Sequence, residues 1–427
     1  MVKLSVTNSI GKIIDYKILF NFYILSLFLH IPLINNYDFF KISEFLFLIL
    51  LFPFAYYFLK EKKNIYFDKI DLVFLSYPIS FIPNIFLLNF SYNSVLGFFS
   101  GLYLFLIYFV TKHVSIKFNL DKFYLLKQVT YLGFICGLIT LIGVFLYLFD
   151  INIGAIHTIP KYPFLLFNVY FRSQAFLGSA SMLAMYCIIA FLSCYFCYKN
   201  FRENKYIIII TIIIIGIFFT FSKSIVLLFS SLFLIIYFKI KKNIWKNLIL
   251  FIIFLSILFH SFFSNFLIIN KKNEFMKSTY FTVNNVKPLL SYENFNLIPT
   301  YYFFQKKKNF EVIKNNFPYG IGYKNFNNYR YASPEYSEKD FEYLNKFNPH
   351  STLLGALAEN GILNLTSIIL ILFFALKISY NLSEKYLFII LFYMLLEFTN
   401  ADFLSIKLLW IFFGLIAYEY KRKSILI

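Results

Sequence analysis

The chain is short of what a soluble protein uses to build its surface. Only 14% of its 427 residues are charged, and 21 acidic residues face 40 basic ones. Arginine is scarce: Arg172, Arg202, Arg330 and Arg422 are the four among those forty. There are five histidines and four cysteines. The cysteines all lie inside apolar runs, and the C-x-x-C of Cys194 and Cys197 has no second pair. That excludes a disulfide framework and argues against a zinc or redox site. No G-K-[ST] follows a strand pattern, and no D-x-D-like pair stands in an outward segment, so neither a phosphate loop for nucleotides nor a divalent-metal site is expected. A cleavable signal peptide is also missing from the reading. Met1 to Lys17 is polar and the following apolar run has no small-residue cleavage site, so that run is expected to stay as the first helix.

What the chain has is apolar length. Hydrophobic residues make up 60% and mean hydropathy is +0.69. Runs of about 20 apolar residues, enough to cross a bilayer, recur along it. The expectation is an all-α polytopic integral membrane protein with about twelve transmembrane helices: 18–34, 42–59, 71–90, 95–111, 128–149, 176–198, 206–220, 223–239, 245–268, 351–376, 385–399 and 403–419. The net charge of +19 belongs to this topology rather than to nucleic acid. Most lysines fall in alternate short loops, such as 60–69, 112–127, 199–205 and 239–246, and in the tail 420–423. By the positive-inside rule these face the cytoplasm, with both termini. The expected surroundings are membrane lipids, with no nucleic acid as partner.

Two outward segments are too long for simple connections. One is 150–175. The other, 269–350, carries twelve basic and seven acidic residues, with basic 305–314 well separated from acidic 333–342. The chain is therefore expected to divide into 1–268 with nine helices, a large outward loop 269–350 between helices nine and ten, and 351–427 with three helices and a tail. The loop should carry function. An amphipathic helix over 303–317 is expected to lie along the membrane surface.

Chemistry-bearing residues gather around that loop. In "NPHSTLLGALAENGILNL" (348–365), Pro349 suits a first helical position and Asn348 an N-cap, which puts His350 in the first turn of helix ten. The positive end of the helix dipole favours a neutral imidazole there, able to take a proton from a hydroxyl. A histidine suited simply to the interface is the rival reading. Glu359, nine residues on, points to the opposite side and deeper, so the two are not a dyad. A structural hydrogen bond between helices is the expected role of Glu359, with Gly355, Ala356, Ala358 and Gly361 allowing close approach. Arg172, just before the sixth span, offers a planar fork for phosphate; headgroup anchoring is the alternative. Arg330 invites the same reading, or a salt bridge to its acidic neighbours. Lys223 is the charge in the tight turn between spans seven and eight. Pro318, Gly320 and Gly322 in "FPYGIGYKNF" mark a turn in the large loop.

Taken in order, these pieces resemble the O-antigen ligase and O-antigen polymerase superfamily of bacterial membrane glycosyltransferases. "HSTLLGALAENGILNL" resembles the family's histidine, leucines, A-E-x-G and apolar run; "PYGIG" its P-x-G-x-G turn; "RSQAFLGSAS" its arginine motif; and "TFSK" its T-x-S-R turn. Ser351 replaces the usual asparagine, Ala180-Ser181 the usual P-N, and Lys223 the usual arginine. The resemblance implies transfer of a glycan from undecaprenyl diphosphate to a hydroxyl of the lipid A core at the periplasmic face. The acceptor in a polymerase would instead be a second lipid-linked glycan. It also implies inversion at the anomeric carbon, with neither metal nor cofactor. His350 would be the catalytic base. Arg172, Lys223 and Arg330 would hold the diphosphate, and Glu359, Gly320 and Gly322 would be structural. A lipid-linked oligosaccharide flippase or other transporter is the rival class. It should show paired repeats with broken helices near the midplane, and no such symmetry is legible. Sugar identity, linkage, acceptor and oligomeric state are not legible either.

Overall fold

A computed structural model describes residues 16–31, 41–60, 67–87, 92–151, 153–158, 172–270, 288–329, 349, 351–382, 385–397 and 406–425. In the first part of the chain these form α1 (Tyr16–Leu25), α2 (Ile42–Lys60), α3 (Lys69–Ile79), α4 (Ile82–Leu87), α5 (Tyr92–Lys117) and α6 (Lys122–Leu148). A two-residue pair, β1 (His157–Thr158) and β2 (Arg172–Ser173), precedes α7 (Ala180–Phe201), α8 (Lys205–Phe218), α9 (Ser224–Lys239) and α10 (Asn243–Asn265). The large loop contributes β3 (Phe266–Asn270), β4 (Leu290–Tyr292), β5 (Phe295–Pro299) and α11 (Tyr301–Asn316). The chain then runs through α12 (Thr352–Asn381), α13 (Tyr386–Leu396) and α14 (Lys407–Ile425).

Each of the twelve expected apolar stretches contains helix. Among the described residues, six helical segments, 69–87, 92–117, 122–148, 180–201, 243–265 and 352–381, are long and apolar enough to cross a membrane. Lipid and protein are equally apolar to a leucine, so such helices associate by close packing rather than by escape from water. Small residues provide it. A methyl group at Gly414 of α14 would lie 2.7 Å from the Tyr108 carbonyl and Thr111 of α5, and one at Gly137 of α6 would lie 2.6 Å from the Ile212 carbonyl of α8. Aromatic rings fill the remaining space: Phe74 stacks on Tyr108 at 4.1 Å and meets Phe413 at 5.2 Å.

Three expectations are corrected. The third span is two helices, because Pro83 cannot donate to the Ile79 carbonyl and its ring would clash there; the chain breaks at Ser80 and Phe81. The basic segment 112–127 is mostly helix rather than loop, since α5 runs to Lys117 and α6 starts at Lys122. There Lys112, 0% exposed, bonds Asp68 and Asp71 at 2.7 Å each, while Asp68 caps α3. Finally, the loop is not all helix. Strands β3, β5 and β4 form an antiparallel sheet in that order, with Ile268 opposite Leu297 and Leu290 opposite that same residue.

Candidate functional site

The loop turn and the tenth span interlock. Helix α12 is not continuous: Gly361 has φ 78° and ψ −170°, in the region that favours glycine. This break frees carbonyls on its N-terminal side and an amide on its C-terminal side. The turn 318–322 takes them all. Ile321 N donates to the Ala358 carbonyl at 3.0 Å, Gly322 N to the Glu359 carbonyl at 2.6 Å, and Ile362 N to the Pro318 carbonyl at 2.8 Å. Contact is backbone on backbone. A methyl at Gly320 would lie 2.6 Å from the Glu359 carbonyl oxygen, and one at Gly361 2.6 Å from Tyr319. Gly320 and Gly322 also hold positive φ, 76° and 92°. The P-x-G-x-G turn and the A-E-x-G sequence are thus two halves of one joint.

Glu359 takes part in that joint through its side chain as well. Its Oε1 accepts from Phe326 N at 3.4 Å. Lys308 of α11, 2% exposed, donates to the Phe326 carbonyl at 2.7 Å. Burial pushes the Lys308 ammonium down to about 8, against the attraction of Glu359. The second interrupted span faces the same place. Asn84 of α4 donates to the Glu359 carbonyl at 3.4 Å, and Asn364 of α12 donates to Ser80 Oγ, at the α3–α4 break, at 2.7 Å.

Helix α12 starts later than its sequence suggests. Ser351 is extended (φ −159°, ψ 122°) and its carbonyl takes the first helical bond, from Gly355 N, at 2.8 Å. The first turn therefore begins at Thr352, two residues past His350. Pro349 lies outside the helix instead of at its first position, because its ring packs on Gly355, where a methyl would be only 2.8 Å away. The Pro349 carbonyl accepts from Asn309 of α11 at 2.9 Å. His350 and Arg330 lie outside the described residues. Pro349 and Ser351, which flank His350, both line a cavity of about 70 Å³ with Tyr77, Tyr323, Thr352 and Asn360.

A cationic cluster stands at the ends of α7 to α11. Strand β2 fixes Arg172 beside the α8–α9 turn: Ser173 N donates to the Phe219 carbonyl at 2.9 Å, and Arg172 Nε to the Thr220 carbonyl at 2.7 Å. Lys223, in that turn, donates its ammonium to the Phe263 carbonyl on α10. Its side chain is largely exposed, but its charged end is crowded by protein. That desolvation first, and the Arg172 charge second, push it down to about 8. Tyr302 of α11 feels the charges of Arg172 and of Glu397. His260 of α10 feels those of Lys223 and Lys306. Of this cluster the sequence singled out Arg172 and Lys223 but not His260, Tyr302 or Lys306. A signal existed for the α11 residues, since 302, 306 and 309 follow i, i+4, i+7 spacing and so share one face. Helix α11 packs between the cluster and the joint, with Gln305, Lys308 and Asn309 buried.

The fold defines a helical membrane protein. Residues 207–369 match the family model described as O-antigen ligase. That match falls on the O-antigen ligase and polymerase superfamily, the one the motifs resemble. No curated protein matches the chain.

Proposed function

We propose that this protein transfers a glycan from undecaprenyl diphosphate to the lipid A core, as an O-antigen ligase, at the outer face of a bacterial inner membrane. The family match supports ligase- or polymerase-type glycosyl transfer. One observation carries the finer reading. The α11 face that brings Tyr302 and Lys306 to the Arg172–Lys223 cluster also brings Asn309 to Pro349, next to His350. Seven residues separate Tyr302 from Asn309, about 10 Å along a helix. That spacing suits a site whose diphosphate lies at the cations and whose reacting hydroxyl lies at His350.

In this reading His350 takes the proton of the acceptor hydroxyl as its oxygen attacks the anomeric carbon. The bond to the diphosphate oxygen breaks on the opposite face, which inverts the centre. Arg172, Lys223 and Lys306 stabilise the negative charge that grows on the leaving diphosphate. Arg330 is kept as a fourth candidate for that role. Neither a nucleotide nor a metal enters the step, so transfer is expected to persist in EDTA.

The lipopolysaccharide ladder of a deletion strain complemented with His350→Ala tests the reading. A core lacking all O-antigen, with long chains retained on the lipid carrier, is expected. A core bearing one repeat would make the protein a polymerase. A normal ladder would remove His350 as base.

A further inference from the structure

The cavity beside Pro349 and Ser351 differs in chemistry from the cationic cluster. Among the described residues its lining holds one cation, Lys324, and one carboxylate, Glu359, so they bring no excess charge for a diphosphate. Tyr77 and Tyr323 supply ring surfaces, and Ser351 and Thr352 supply hydroxyls. At about 70 Å³ the cavity takes about five water-sized positions. That suits the edge of one sugar ring with its hydroxyls.

Two asparagines one helical turn apart line this cavity on either side of the Gly361 break. Asn364 is 1% exposed and satisfied, through its donation to Ser80 Oγ. Asn360 is 7% exposed, and its Oδ1 is buried with no hydrogen-bond partner among the described residues. Buried amide oxygens are nearly always paired, because the lost hydration is otherwise uncompensated. A buried acceptor left unpaired on a residue that lines a cavity of aromatic and hydroxyl groups is a place for a ligand donor, reached by a rotation of the amide toward the cavity.

We propose that this cavity is a sugar subsite, in which Asn360 Oδ1 accepts a hydroxyl of a neutral glycan ring packed against Tyr323. The proposal rests on the glycan-transfer reading for the origin of that ring, which is either the acceptor's or the donor's. Asn360 sets affinity for the ring and takes no proton in the reaction.

The full-length protein in nanodiscs tests this with two probes: core oligosaccharide freed from lipid A by mild acid, and oligosaccharide freed in the same way from the lipid-linked glycan. Saturation-transfer NMR measures binding of each. Asn360→Ala should weaken binding of one of them about 5- to 100-fold. In transfer assays KM for the corresponding substrate should rise with kcat within about threefold, the signature of lost ground-state binding. Which KM moves identifies acceptor or donor. Tyr323→Leu, on the loop, should weaken the same probe and guards against misfolding of the first variant. Unchanged binding and KM in both variants, with transfer intact, would overturn the subsite but leave the transfer reading standing. Binding by the wild type that both variants weaken, without any transfer, would uphold the subsite and overturn the transfer reading. Failure of the wild type to bind either probe would overturn the subsite.

Discussion

Arg172 and Lys223 differ in how they can hold charge. A guanidinium is ionised at any physiological pH, whereas the Lys223 ammonium lies at about 8. Lysine is charged below its pKa, so donor binding is expected to weaken as pH rises from 7 to 9. In Lys223→Arg that alkaline limb should vanish from the KM profile for the lipid-linked donor. Lys308 also lies at about 8, but in the joint and not in the cluster. Persistence of the limb in Lys223→Arg would shift the assignment to Lys308 or elsewhere. Arg172→Lys should lower kcat by about 100-fold, since a point charge keeps attraction but not the paired donors. Wild-type turnover in that variant would reduce Arg172 to a lipid anchor. Both residues were legible from their types and positions. Their shared turn was not, because it depends on β2 pairing backbone with the end of α8.

Among elements, the break in α12 decides most. Its N-terminal piece, 352–360, is held to the loop turn by two backbone hydrogen bonds, from Ile321 N and Gly322 N, and a third, from Ile362 N, ties the other side of the break to the same turn. Gly361→Ala would force a methyl against Pro318 and Tyr319 at a positive φ that alanine adopts poorly. The joint must then open, displacing the start of α12 from α11. A misplacement of about 1 Å at a reacting centre costs about 100-fold in rate. Transfer by Gly361→Ala should fall by that order while the protein stays in the membrane. Leu363→Ala, at an exposed position two residues on, should leave transfer unchanged. Equal activity of the two variants would show that the joint positions nothing. The glycine pattern of the loop turn was readable as a turn; its partner was not, since the two are about 40 residues apart in sequence. The facing breaks of α3–α4 and α12 were missed for a related reason. A proline reads as one helix ending, and neither break declares which other break it will meet. Facing broken helices are also a transporter feature, but here the α12 break is filled by the loop rather than by an open passage.

At the scale of the molecule, the far end of the bundle is held by buried charge. Lys112 on α5 joins Asp68 and Asp71 of α3, and Tyr108 donates to Asp71 at 2.6 Å. Removing one partner of such a group leaves uncompensated charge and costs about 3–5 kcal/mol. Lys112→Met should lower the thermal midpoint in detergent markedly, and adding Asp71→Asn should recover part of the loss. An unchanged midpoint in Lys112→Met would mean that this cluster does not anchor the bundle.

The sequence by itself determined that this is a helical membrane protein, and that each of twelve apolar stretches contains helix. Apolar length and lysine placement are local properties that a bilayer reads directly. It also determined the order of the motifs, and so the resemblance that the family match bears out. Only the tertiary structure decided that the loop turn fills the α12 break, that α11 links the cations to Pro349, and that Asn360 Oδ1 is left without a partner among the described residues, beside a cavity. Each of these depends on backbone and side-chain groups distant in sequence satisfying one another, or failing to, once the helices have packed.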